Sequence, residues 1–264
     1  VAKVVNGRKN QPKRHKNRVF FNKAPNFFKI HVPPRFSTYF RINFDIRRIM
    51  AKKKDTSSEN PLLRKAQEEV VRCQVERFHK TYNHYFSRTD TEKLVKFFFE
   101  KIYDLEAQDT IIQIAINTYD KVKNQLAADT QENLENLINL NQMTHDLDRG
   151  MAHLLLSKGW KEGEQLSQEA FFELYKEFGH EEERRQQLRM SVKCMIVSYQ
   201  LAHRPFNDML LKAARGFAVI FGVQPLYDFV EEGYKATKIV KADVFNEFVD
   251  TVTDEEVTYL EGAF

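Results

Sequence analysis

No proline occurs between Pro61 and Pro205, and that absence narrows the possible folds more than any motif in the chain. Proline ends helices and marks the turns of β domains, so a long stretch without it, poor also in glycine, excludes a turn-rich all-β architecture. Helix punctuation fills the stretch instead. Asn60-Pro61 is an N-cap followed by proline at the first helical position, where a missing N–H costs nothing, and it predicts a long helix to about Tyr85. Thr89-x-x-Glu92 and Asp129-x-x-Glu132 read as capping boxes, the first opening a helix over 94–103 and the second a long one ending at Gly159. Asp109 can start another between them. Gly150 inside the long helix predicts a kink or a close helix crossing. Ser167 caps a short helix that Gly179 ends. Leu188, Val192, Met195, Ile196, Tyr199 and Ala202 then form an apolar stripe that Pro205 stops. Further helical patterns cover 210–221, 226–236 and 244–252, and Thr253-x-x-Glu256 predicts a cap for a last short helix. No strand alternation is present. The expected fold is all-α, a single helical-bundle-like domain of about eight to ten helices.

Charge divides the chain at Met50. Residues 1–49 hold thirteen Lys and Arg against one acid, Asp45, together with seven of the 22 Phe and the pair Pro33-Pro34. The remaining 215 residues hold 28 basic against 36 acidic side chains, a balance of −8. The pI of about 8.8 is therefore an average of two unlike pieces. The expected organisation is a basic leader over 1–49, a polar lead-in over 50–60 and a helical domain over 61–264. Met50-Ala51-Lys52-Lys53-Lys54 reads as an ordinary amino terminus, so the leader is expected to be upstream sequence absent from the natural protein. Its cations and aromatic rings would otherwise suit a nucleic-acid arm. The acidic body would repel phosphate, so nucleic acid is not an expected partner of the folded domain. No run of 18 apolar residues is present to span a membrane. Cys73 and Cys194 lie far apart without a Cys-x-x-Cys, as reduced cysteines of a cytosolic protein do.

Three constellations could carry chemistry. Glu76 and His79 share one face of the first helix, a carboxylate and an imidazole one turn apart, as iron, manganese or zinc would require. A di-iron bundle needs a second Glu-x-x-His, and the other match, Glu177-x-x-His180, straddles Gly179. A polar, partly exposed helix face is the default reading. His145, Asp148 and His153 form a second candidate on the long helix. The third is a polar network or anion pocket in which Asp148 and Asp228 meet Arg204 and Arg215 between helices. Phosphate loops, dinucleotide fingerprints, Gly-x-Ser-x-Gly and His-Glu-x-x-His are missing, so the chain leans away from an enzyme. Apolar helical surface such as Leu210, Leu211, Val219, Ile220 and Phe221 points to self-association or a protein partner.

Phe97-Phe98-Phe99-Glu100-Lys101-Ile102-Tyr103-Asp104 resembles the signature of the bacterial FFLEELY-motif proteins. Leu140 to Ala152, Arg204-Pro205, Ala214-Arg215-Gly216-Phe217-Ala218 and Leu226 to Tyr234 resemble later blocks of that family in the same order. The likeness covers about 70–250 and omits the leader. It implies an uncharacterised helical protein with no assigned catalytic residue. Lys101-Ile102 depart from the more acidic, leucine-like centre of the motif. Read physically, the signature is a core helix with Leu94, Phe97, Phe98 and Ile102 inward and Glu100 and Lys101 near solvent.

Overall fold

The Asn60 side chain accepts a 3.0 Å hydrogen bond from the Leu62 N–H, and Pro61 opens helix α1, Pro61–Thr81. In the computed structural model, which describes residues 60–105, 111, 113–118 and 128–264, the remaining architecture is also helical, with no strand among the described residues. After α1 come α2 (Asn83–Phe86), α3 (Glu92–Lys96) and a π-helical turn (Phe97–Lys101). They are followed by α4 (Ala128–Ser157), α5 (Gln168–Phe178), α6 (Glu181–Ala202), α7 (Asn207–Ile220), α8 (Gln224–Lys238) and α9 (Ala242–Ala263). The helix start expected at Asp109 and the leader both fall outside the described residues.

Helix α6 sits centrally, packed on α4, α8 and α9, while α1 lies against α4, α5 and the π turn. One continuous core results, with Tyr82, Phe171, Tyr199, Phe245 and Phe248 fully enclosed. Each such ring contributes about 1.5–3 kcal/mol through burial. Tyr199 stacks on Phe245 at 4.0 Å, and its hydroxyl donates to the Val240 carbonyl at 2.9 Å, so the one polar atom of this aromatic pair is satisfied.

Most expected boundaries are present, and three departures have physical causes. Helix α3 starts after Thr91, whose hydroxyl donates to the Tyr85 carbonyl at 2.7 Å, instead of at the Thr89 capping box. The last helix is one continuous element: Thr253 is buried, and its hydroxyl donates to Val249 O at 2.7 Å within the helix instead of capping a new one. The FFF signature is a π turn, and Phe99 is buried along with Phe97 and Phe98. Three consecutive residues of an α-helix span about 200°, too wide for one buried face; the wider π turn brings all three inward. Tyr82 stacks flat on Phe99 at 4.8 Å as a result.

Gly150 is a close crossing. A Cβ there would fall into the Phe178 ring of α5, and the same holds for Gly233 on α8, where it would lie 2.5 Å from Phe97 Cζ. Ser167 and Gly179 bound α5 as expected, Ser167 Oγ accepting from Ala170 N–H at 3.2 Å and Gly179 taking φ +73°.

Candidate functional site

Glu76 and His79 do not converge on a metal position. Glu76 pairs with Arg72 at 2.7 Å, one turn back, while His79 Nε2 lies 2.9 Å from Glu100 of the π turn and its ring stacks on Phe86 at 4.1 Å. Both stay about half exposed, and no group of three or more His, Cys, Asp or Glu is arranged to hold a metal among the described residues. His153 is exposed, whereas Asp148 is buried.

The expected meeting of Asp148 and Asp228 with Arg204 and Arg215 does not occur. Helices α4 and α6 run antiparallel, and their polar contacts form a ladder in which residue numbers fall on one helix as they rise on the other. Its rungs are Asp148 with Arg184, Thr144 with Gln187, Asn133 with Ser198, and Asp129 with Arg204. Arg204 is twenty residues beyond Arg184, about 30 Å along the helix axis, which places it opposite Asp129 and out of reach of Asp148. Arg215 is exposed on α7, its charge acting on Tyr227 and Glu231 of α8. Asp228 accepts from Gln224 at 2.6 Å.

What the helices bring together instead is a buried polar chamber that sequence reasoning missed. Arg77 of α1 reaches Glu256 of α9 with two parallel hydrogen bonds of 3.0 and 2.7 Å, and Tyr82 donates to the same carboxylate at 2.6 Å. The Arg77 guanidinium also lies 4.1 Å from the Tyr259 ring centroid and 4.7 Å from that of Phe78. Burial works to lower the Arg77 pKa, but the Glu256 carboxylate outweighs it and holds the guanidinium charged. Across the chamber, Arg184 of α6 lies 3.8 Å from Asp148 of α4 and 4.6 Å from the Tyr175 ring centroid. Arg184 donates to Gln187 Oε1 at 3.1 Å and to Met151 Sδ at 2.9 Å, and Gln187 donates to Thr144 at 2.8 Å.

A cavity of about 110 Å³ separates these groups, bordered also by Tyr103, Leu140 and Cys194. Burial pushes the Asp148 carboxyl up to about 6, against the pull of Arg184 and His145. The Cys194 thiol is likewise pushed up to about 12 by burial, which makes it an inert core cysteine. A signal for this chamber existed in the sequence. Arg77, Arg184 and Glu256 each fall in register with an apolar stripe: Val70, Cys73 and Phe78; Leu188, Val192 and Met195; Phe248, Val252 and Leu260. A charged residue at a core position requires a partner.

The second distinctive region is α7. Among its residues only Ala218 is buried. Phe206, Leu210, Ala213, Phe217 and Ile220 follow a four-three-four-three spacing, the seam of a helix that pairs with another. The four large side chains of that seam are between 60% and 76% exposed. Phe206, just after Pro205, takes φ +69°, a left-handed conformation that bulky residues avoid, and projects its ring into solvent.

The fold and these two regions define an all-helical domain with a polar chamber set in its apolar core and, among the described residues, a helix whose apolar seam is exposed. The chain belongs to the family described as a domain of unknown function, DUF8198, whose model matches residues 53–264. The match leaves out the whole basic leader. No curated protein and no solved structure matches the chain.

Proposed function

We propose that this chain is a cytosolic interaction module that self-associates through α7, two copies pairing their α7 helices antiparallel. The carrying observation is the exposed apolar seam. Antiparallel pairing centred on Ala213 sets Phe206 against Ile220, Met209 against Phe217 and Leu210 against Gly216. No atom of the described residues lies within 4 Å of a Cβ built on Gly216, so a partner backbone has room to approach. Covering Phe206, Met209, Leu210, Phe217, Val219, Ile220 and Phe221 at roughly 100 Å² apiece would bury about 700 Å², near the ~800 Å² per partner of a standard interface. Cys73 and Cys194, buried and unpaired, suit a reducing compartment. In the segment that resembles the FFLEELY signature, Phe97, Phe98 and Phe99 are core residues, which supports a structural part for those three rings.

Sedimentation equilibrium of the full chain tests the reading. Wild type is expected as a concentration-dependent dimer, and Leu210→Glu as a monomer with an unchanged helical spectrum. A wild type that stays monomeric up to high micromolar concentration, or a Leu210→Glu variant that still dimerises, overturns it.

A further inference from the structure

The two buried arginines of the interior chamber are served very differently. Arg77 is met by a carboxylate with two short hydrogen bonds and has its charge neutralised in place. Arg184 is as deeply buried, at 6% exposure, but its partners are a neutral amide oxygen and a thioether sulfur. The nearest acid among the described residues, Asp148, stands 3.8 Å off, beyond hydrogen-bond length; the Nε–H groups of both arginines are without a partner among the described residues, so the two differ in the carboxylate that meets Arg77 alone. A buried guanidinium with so little compensation is costly unless an anion meets it.

The space beside it has the size and character of a ligand site. A volume of about 110 Å³ is several times the ~30 Å³ share of one liquid water and approaches the ~150 Å³ of an engineered cavity that admits benzene. Its wall is predominantly apolar, with Phe98 and Ile102 from the π turn region, Leu140 from α4, and Leu188 and Met195 from α6. Apolar walls with a few convergent polar groups are what small-molecule pockets share.

We propose that this chamber binds a short-chain monocarboxylic acid, its carboxylate forked on the Arg184 guanidinium and its hydrocarbon tail against Phe98, Ile102 and Leu140. The ligand must be a monoanion, because Arg77 is already engaged by Glu256 and offers no second free cation. It must also be small, since the volume admits about four to six heavy atoms by the benzene comparison.

Binding is coupled to a proton. Asp148 faces Arg184 from α6, His145 on its own helix, Tyr103 after the π turn and Tyr175 from α5, with the Arg77–Glu256 pair behind them. A second carboxylate on Arg184 would raise the Asp148 pKa further by like-charge repulsion, so the acid takes up a proton as the ligand arrives. Affinity should therefore fall by up to about tenfold per pH unit between the ligand-free Asp148 pKa and its raised value in the complex, and level off above that.

The test is calorimetric titration and thermal unfolding of the full chain with sodium butyrate at pH 6 and pH 8, against sodium chloride at equal ionic strength and against butyramide. Butyrate is expected to bind at pH 6 and raise the melting temperature, more weakly at pH 8, with butyramide inert. Asp148→Asn should bind butyrate about equally at both pH values. Arg184→Gln should lose binding. Leu140→Phe, which fills the cavity and leaves Arg184 in place, should lose it too and covers the case in which the arginine variant fails to fold. Absence of any butyrate response at pH 6, an equal response to butyramide, or undiminished binding in Leu140→Phe overturns the proposal.

Discussion

Helices α6 and α7 follow one another along the chain and carry apolar residues at the same spacing, yet they end in opposite environments. The α6 stripe of Leu188, Val192, Met195 and Tyr199 is buried against α4, α8 and α9. The α7 seam leans mainly on α8 and leaves its large side chains in solvent. Periodicity thus reports that a helix has an apolar face, and says nothing about what covers it. The same contrast holds for charge. Arg184 in the first turn of α6 is enclosed, whereas Arg215 on α7 is exposed.

Substitutions separate the two environments. The largest effect is expected at Glu256, where truncation to Ala leaves the Arg77 guanidinium and the Tyr82 hydroxyl buried without their acceptor. A loss of about 3–5 kcal/mol in urea unfolding follows. A loss under about 1 kcal/mol would show that the interior pair is solvated and that the contrast with α7 is weaker than the burial implies. On the α7 side, Leu210→Glu should leave unfolding free energy within about 0.5 kcal/mol, because the Leu210 side chain is 60% exposed.

Asp148 tests the interior through pH. Its folded pKa of about 6 lies above the unfolded value near 4, so the folded state binds the extra proton. Stability is therefore fully favoured below the unfolded pKa and falls as pH rises from about 4 to about 6, remaining lower above that. Asp148→Asn removes this penalty, and is expected to stabilise the protein by about 1–3 kcal/mol at pH 7.5 and negligibly at pH 4. Equal effects at the two pH values would contradict the assigned ionisation. The smallest effect concerns Phe206. Replacement by Asn, which tolerates a left-handed backbone, should raise stability by about 0.5–1 kcal/mol while weakening association, so stability and assembly should move in opposite directions. Parallel changes would mean that the ring packs within the monomer.

Much of the helix plan was legible because capping and proline rules act over a few residues. Asn60-Pro61, Ser167 and Gly179 act at their expected positions for that reason. Thr253-x-x-Glu256 misled because a capping box and an in-helix threonine share the same residue types. The choice depends on whether burial on both sides keeps the helix running, and Phe248, Val252, Val257 and Leu260 do so here. The network expected among Asp148, Asp228, Arg204 and Arg215 failed for a related reason. Complementary charge identifies possible partners, while helix rise and antiparallel alignment select among them.

By itself the sequence determined the helical class, most helix ends and the placement of the family match beyond the basic leader, since these depend on local backbone chemistry and on composition. Only the tertiary structure decided which charges are buried together, which glycines admit a ring and which apolar seam stays uncovered. Those outcomes depend on distances between residues far apart in the chain: Arg77 and Glu256 are separated by 179 positions and bonded at 2.7 Å. No local rule carries that information, because it arises from how helices of given length and direction pack.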